Sequence, residues 1–156
     1  MMFLNQTSQY ALRAMTGLVA RSPGKPVKSA ELASFTGVPA HYLSKIMRKL
    51  VEAGFVKSQK GHGGGFLLGV APADIRIIDV LRATGFNMDD QPCVFGMANC
   101  NNVNPCMLHP AWKELKDCFN SWASRTTFKQ ISDDLTESSI DYTLKQLKLI
   151  SARVPK

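Results

Sequence analysis

Residues 39–69 read PAHYLSKIMRKLVEAGFVKSQKGHGGGFLLG, and this stretch decides the fold. Its first half predicts a helix, because apolar residues recur at i, i+3, i+4 and i+7 and share one face, made of Leu43, Ile46, Met47 and Leu50. A second face repeats the same spacing with polar and basic residues, namely His41, Ser44, Lys45 and Arg48. We therefore expect one face of the helix to pack and the other to offer hydrogen-bond donors and positive charge.

The second half of the stretch predicts a β-hairpin. Residues 55–59 and 66–70 are typical of strands, and four glycines lie between them. Because glycine has no Cβ, such a tip can bring its backbone close to a narrow groove. Positive charge is supplied there by Lys57, Lys60 and His62. We expect a flexible, positively charged wing.

Two helices are predicted ahead of the quoted stretch. The first follows a cap at Thr7 or Ser8 and ends at a Ser-Pro-Gly break, and the second is capped by Ser29 and ends at Gly37. A short helix, a glycine turn and an amphipathic helix form a helix-turn-helix, whose second helix enters the major groove of DNA. Together with the hairpin, these elements predict a winged helix-turn-helix domain that binds DNA.

The positive charge of the chain lies in its N-terminal half. Residues 1–70 hold nine Lys or Arg against two acids, whereas residues 71–156 hold ten of each sign, so the first half carries the net charge of +7. Basic surfaces bind phosphates through counterion release, although a basic face can also simply aid solubility. The sequence shows neither a signal peptide nor an apolar run of membrane-spanning length, so we expect a soluble, cytoplasmic protein with no membrane partner.

The glycines imitate two enzyme motifs, and neither is complete. A phosphate-binding loop needs Gly-Lys-Ser/Thr at the start of a helix, but here the glycines precede the strand-like run Phe-Leu-Leu-Gly. The string that begins at His62 resembles the oxyanion loop of esterases, yet the chain has no Gly-x-Ser-x-Gly nucleophile motif. We expect no catalytic residues and no enzymatic activity.

A loop over residues 86–109 loses all periodicity and holds three of the four cysteines. Its spacing is C-x6-C-x5-C-x2-H, over Cys93, Cys100, Cys106 and His109. Three thiols and one imidazole in a short stretch favour a metal centre, and a long loop without secondary structure needs something to organise it. Zinc stays an alternative, although structural zinc sites use shorter spacers, and a disulfide would leave one cysteine over.

An apolar stripe at helical spacing follows the loop and begins near Pro110. It consists of Leu108, Ala111, Trp112, Leu115, Cys118, Phe119 and Trp122. Its position makes Cys118 a buried packing residue rather than a ligand. Because the face is large for a small domain to cover, it predicts a homodimer, with burial against the chain's own winged helix as the alternative.

The predicted fold class is mostly α with a small β-hairpin wing: a winged helix-turn-helix domain plus a long dimerisation helix. An apolar element from Pro72 to Gly85 braces the first domain, and Thr126 and Thr127 precede a further short helix. The predicted units are a DNA-binding domain over 1–85, a cluster-binding loop over 86–109, the dimerisation helix with the short helix over 110–135, and a tail over 136–156.

On these residues the chain resembles the IscR/NsrR-type winged-helix transcriptional regulators, a family of iron–sulfur regulators. The similarity runs over residues 4–135, and its most specific parts are Tyr-Ala-Leu-Arg-Ala-Met from residue 10, Val-Pro-Ala-His-Tyr-Leu from residue 38 and the glycine wing. The resemblance implies DNA contacts from Pro39, His41, Tyr42, Ser44, Lys45 and Lys60. Family members usually have Arg where this chain has Lys60, and IscR has an acid where it has Ser44, so we expect a different operator.

The resemblance also implies the cofactor. Cys93, Cys100 and Cys106 match the cluster cysteines, and His109 matches the fourth ligand of an IscR-type [2Fe-2S] centre. NsrR-type members use an N-terminal Asp where this chain has Gln9, so [2Fe-2S] is favoured over [4Fe-4S]. The first spacer is one residue longer than the commoner x5.

The expected function is that of a dimeric transcriptional regulator that binds double-stranded operator DNA. An iron–sulfur cluster that senses iron–sulfur status, redox state or nitric oxide would control this binding. The alternative is a winged-helix repressor with a zinc or thiol-redox switch in place of the cluster. An electron-transfer protein would leave the basic helix and the wing unexplained.

Overall fold

The computed structural model describes residues 4–22, 24–93, 95–97, 101–134, 136, 138–139, 142–143 and 145–146. Helices dominate this part of the chain, and a two-stranded hairpin follows the third of them. The elements are α1 (Gln6–Arg21), α2 (Ser29–Thr36), α3 (Ala40–Glu52), β1 (Val56–Gln59), β2 (Gly65–Leu68), a 3-10 turn (Pro72–Asp74), α4 (Ile77–Ala83), α5 (His109–Arg125) and α6 (Phe128–Asp133). The predicted mostly α winged-helix fold with a small β-hairpin is confirmed.

Helix α1 is capped two or three residues earlier than its sequence indicated. The side chain of Asn5 accepts a hydrogen bond from the backbone N–H of Ser8 at 2.9 Å, so Asn5 is the N-cap. The prediction of Thr7 or Ser8 is wrong. Ser8 is completely buried in the first turn, and a side chain that faces the core cannot turn back to cap the helix end.

Helices α2 and α3 form the helix-turn-helix. Helix α2 starts at Ser29 itself, with Lys28 in the cap position, so the predicted cap is wrong by one residue. Gly37 ends α2 with a φ of 65°, a left-handed conformation that glycine adopts without a Cβ penalty. Helix α3 then buries the predicted apolar face, which consists of Leu43, Ile46, Met47 and Leu50.

Strands β1 and β2 pair antiparallel, with Val56 opposite Leu68. The backbone of Val27, which precedes α2, pairs with Phe66 through two hydrogen bonds of 2.8 Å. This pairing extends the hairpin to a third segment of chain. The wing is thereby fixed to the rest of the winged helix.

A second short backbone pairing fastens the end of α5 to the winged helix. The N–H of Ile77 donates to the carbonyl of Thr126 at 3.0 Å, and the N–H of Phe128 donates to the carbonyl of Ile75 at 2.9 Å. Thr127 lies between these bonds and caps α6, which forms where it was predicted. The two helices after the cysteine loop are therefore tied to α4 at one place.

One hydrophobic core joins the winged helix to these later helices. It includes Phe86, Met88, Ala123 and Phe128 together with residues of α1 to α4. Burying an apolar side chain of this size stabilises the fold by about 1.5–3 kcal/mol. The predicted brace over 72–85 divides into the 3-10 turn and α4, with its apolar residues inside this core. Within the described residues, no helix is both long and apolar enough to cross a membrane.

Candidate functional site

The outer face of α3 exposes most of the side chains predicted to contact DNA. Pro39 is the N-cap residue of α3 and is itself exposed. The other exposed members of the set follow at helical spacing along one face: His41, Ser44, Lys45 and Arg48. Since the opposite face is buried in the core, these side chains share one accessible surface.

Tyr42 differs from this set, because it is half-buried. Its ring lies edge-on to the ring of Tyr10 on α1, with centroids 5.6 Å apart, and 4.6 Å from the ring of His41. Gln6 donates a hydrogen bond to the Tyr10 hydroxyl at 3.0 Å, and the guanidinium of Arg13 lies 5.5 Å from the Tyr10 ring. Burial lowers the pKa of Arg13, which nevertheless stays charged at neutral pH. Tyr42 therefore fastens the start of α3 to α1.

Two neighbouring basic residues of α3, Arg48 and Lys49, have different hydrogen-bond partners. Arg48 donates to the carboxylate of Glu52 at 3.1 Å, and both side chains are largely exposed. An exposed ion pair of this kind contributes little to stability, so Arg48 can exchange Glu52 for a phosphate. Lys49 instead donates to the carbonyl of Thr84 at 3.3 Å, just after α4. Lys49 is thus held against the end of α4, although it is exposed, while Arg48 lies on the outer surface.

The tip of the wing exposes Lys60 and His62, as expected. Gly61 and Gly63 beside them have φ values of 94° and 83°, and open space surrounds both. These conformations are ones that L side chains rarely adopt. The two glycines are therefore required by the turn that carries Lys60 and His62.

The next two glycines are required by packing. A Cβ at Gly64 would lie 2.3 Å from the carbonyl oxygen of Gln59, and a Cβ at Gly65 would lie 2.3 Å from that of Val27. Such distances are far inside van der Waals contact. These two glycines therefore let segments of the chain's own backbone pass close to each other. The sequence had suggested only a close approach of the wing to DNA.

The first part of the cysteine loop is anchored to α5. The ammonium group of Lys116 donates to the backbone carbonyl of Asp89 at 2.8 Å, and the amide of Asn120 donates to the Asp89 carboxylate at 2.8 Å. Sequence reasoning missed this anchor, because its partners are 27 and 31 residues apart and no local pattern joins them. The anchor lies four residues ahead of Cys93.

The end of the loop runs directly into α5. The backbone N–H of His109 donates to the carbonyl of Cys106 at 3.0 Å, which makes a tight turn at the start of the helix. The Nε2 atom of the His109 ring lies 2.9 Å from Oδ1 of Asn102. The last two predicted ligands are therefore held close together at the N-terminal end of α5.

The predicted metal ligands are only partly covered by the structure. Cys93 and Cys106 are half-buried, and the Cys93 sulfur accepts a hydrogen bond from the Met97 N–H at 3.4 Å. Cys100 lies outside the described residues. Among the residues that are described, no three His, Cys, Asp or Glu side chains are grouped closely enough to hold a metal ion. The donor types that are present, two thiols and an imidazole, fit a thiolate-rich centre.

The apolar stripe of α5 divides into two flanks. Trp112 and Phe119 are half-buried and pack against the core, on the same side as the buried Ala123. The other flank turns away from the core, with Leu115 and Trp122 exposed at 47% and 45%. Cys118 also lies on this flank and is exposed, so its predicted burial is wrong for the single chain. One flank packs internally and the other is open.

A shallow cleft lies beside His109, on a side of α5 away from the exposed flank of Leu115 and Trp122. Its lining includes Asp89, Asn102, Trp112, Lys113, Lys116 and Asp117. Charges of both signs line this cleft. It gives solvent access to the end of the cysteine loop.

Comparisons with known proteins agree with this architecture. A family model described as Rrf2, iron-dependent transcriptional regulator, matches residues 4–134. The HTH-type transcriptional regulator IscR of Vibrio atlanticus (strain LGP32) is 31% identical over 133 residues, which cover 85% of this chain and 76% of that protein. IscR of Escherichia coli O1:K1 is 28% identical over 130 residues, with coverage of 83% and 80%.

Solved structures share the fold. CymR (YrzC), the global cysteine regulator of B. subtilis, has a TM-score of 0.73 at 21% identity, covering 87% of this chain and 100% of that chain. T. potens IscR has a TM-score of 0.70 at 23% identity, covering 88% and 90%.

Proposed function

The chain belongs to the Rrf2 family of transcriptional regulators, and from this premise we propose that it binds operator DNA as a homodimer under the control of an iron–sulfur cluster. Its relatives are named as transcriptional regulators, so the expectation of a DNA-binding regulator rather than an enzyme is confirmed. The contact residues, the dimer and the cluster are what we propose in addition.

The proposed DNA surface combines the outer face of α3 with the tip of the wing. It consists of Pro39, His41, Tyr42, Ser44, Lys45 and Arg48 from the helix, and Lys60 and His62 from the wing. The observation that carries the proposal is the division of α3, whose basic side chains are exposed while the apolar face of Leu43, Ile46, Met47 and Leu50 is buried. A helix presented in this way fits the major groove, and the wing supplies charge for a neighbouring groove.

The proposed cluster ligands are Cys93, Cys100, Cys106 and His109, with [2Fe-2S] favoured over [4Fe-4S]. Support comes from the soft donor set and from the loop, which is anchored on α5 by Lys116 and leads back into α5 at His109. Cysteine ligates as the thiolate, and the positive N-terminal end of α5 favours negative charge at Cys106. A bound cluster would supply a centre that responds to iron–sulfur status, redox state or nitric oxide.

Helix α5 connects the proposed ligand loop to the DNA-binding domain. Its first residue is His109, and just past its last turn Thr126 accepts the hydrogen bond from Ile77 of the winged helix. A shift at the loop can therefore be transmitted to the winged helix through one rigid element. Its exposed flank, with Leu115 and Trp122, is the proposed surface for a second copy of the chain. Two copies would present two recognition helices to a palindromic operator in the cytoplasm.

Anaerobic purification tests this proposal. We expect thiolate-to-iron visible absorption that disappears in a triple variant with Cys93→Ala, Cys100→Ala and Cys106→Ala. A Cys118→Ala variant is the matched control and is expected to keep the colour, because Cys118 lies on the open flank of α5. We also expect binding to promoter DNA that weakens as salt rises. A colourless, zinc-loaded protein with unchanged DNA binding would contradict the cluster and favour the zinc or thiol-redox alternative.

A further inference from the structure

The loop holds a polar contact that the proposed ligand motif does not require. Asn102 lies seven residues before His109, and its Oδ1 atom is 2.9 Å from Nε2 of the His109 ring. An amide oxygen can only accept a hydrogen bond, so Nε2 is the donor. The neutral ring then carries its lone pair on Nδ1, which is the form in which an imidazole ligates a metal through that nitrogen.

We propose that Asn102 is a positioning residue that orients His109 as a metal ligand, an inference that rests on the proposed function of His109. Metal-ligating histidines almost always donate their other ring N–H to a carboxylate, a backbone carbonyl or water. That bond fixes the orientation and tautomer of the ring and raises its basicity as a ligand. The side-chain carbonyl of Asn102 supplies an equivalent oxygen from within the loop.

The backbone on both sides of this contact is held locally. The side chain of Asn101 accepts hydrogen bonds from the N–H groups of Val103 and Asn104, both at 2.9 Å, which fixes the turn that carries Asn102. On the other side, His109 is fixed by its backbone bond to the carbonyl of Cys106. The contact therefore joins two ordered turns, and it holds the middle of the loop against the start of α5.

Cobalt(II) binding to the metal-free protein tests the role of Asn102 without requiring a cluster or DNA. We expect Asn102→Ala to raise the Kd for Co²⁺ about tenfold to hundredfold, the usual effect of losing a partner of a ligating histidine. Asn102→Asp keeps an acceptor oxygen and is expected to restore affinity close to that of the unchanged chain. Asn104→Ala is the matched control, because the turn uses the backbone N–H of Asn104. Thermal unfolding of each metal-free variant shows whether the fold is retained.

The outcomes separate this inference from the proposed function. If His109→Ala weakens Co²⁺ binding and Asn102→Ala does not, Asn102 has no positioning role and the ligand set stands. If Asn102→Asp binds as weakly as Asn102→Ala, the acceptor oxygen is not what matters, and the inference is overturned. Unchanged Co²⁺ affinity in His109→Ala contradicts the ligand set itself, and the role of Asn102 with it.

Discussion

The ring of Tyr10 on α1 lies edge-on to the ring of Tyr42 on α3, with centroids 5.6 Å apart and planes at 65°. Tyr10 is buried and Tyr42 half-buried, so this pair connects the first turn of α3 to the core. A double-mutant cycle with Tyr10→Leu and Tyr42→Leu, measured by urea unfolding, should give a coupling of about 0.5–1.5 kcal/mol. Purely additive effects of the two substitutions would show that the rings do not stabilise each other.

Gly65 tests whether the wing glycines serve packing. In Gly65→Ala the new methyl group would meet the carbonyl oxygen of Val27, and the resulting overpacking should cost about 1–3 kcal/mol of unfolding free energy. Amide hydrogen exchange at Val27 and Phe66 should become faster, because their mutual hydrogen bonds are strained. Gly61→Ala is the control. The new methyl group would strain the backbone of Gly61 itself but would touch no neighbour, so exchange at Val27 and Phe66 should stay unchanged. Equal effects of both substitutions would argue against the packing role.

Charge removal tests the proposed DNA surface. Lys45→Ala and Lys60→Ala should each weaken DNA binding and reduce the slope of log K against log salt by about one. Lys129→Ala removes the same charge from α6, where Lys129 is paired with Asp133, and should leave the slope unchanged. Fluorescence anisotropy with promoter DNA over a range of salt measures all three. A Lys129→Ala variant that behaves like the other two would mean that net charge, and not this surface, governs binding.

The open flank of α5 tests the proposed dimer. A glutamate at Leu115 or Trp122 would place an unpaired carboxylate in an apolar interface, so Leu115→Glu and Trp122→Glu should dissociate the dimer. Ser124→Glu adds the same charge nine residues after Leu115, on the opposite side of α5, and should leave the dimer intact. Sedimentation velocity distinguishes the two states. A monomeric parent chain at the same concentration would contradict the dimer.

Periodicity in the chain was enough to predict the helices and the hairpin. The apolar face of α3 was predicted correctly because a helix repeats every 3.6 residues, whatever the rest of the chain does. The caps were harder to predict. Asn5, Thr7 and Ser8 all have suitable side chains, and Asn5 is the cap because the helix begins at Gln6 and places the other two inside its first turn. The ligand and DNA-contact residues were chosen by residue type, by spacing and by the family resemblance, and they stay predictions.

Residue type and local order therefore established a winged helix-turn-helix with a basic outer face, followed by a cysteine loop and an apolar helix. Contacts between distant segments could not be predicted from the sequence pattern. Their free energy depends on which surfaces meet when the chain folds, and no local spacing reports that. Folding placed Asp89 against Asn120, and it turned Phe119 toward the core and Cys118 away from it. One stripe in the sequence thus became two flanks, because a helix packed on one core turns only one side toward it.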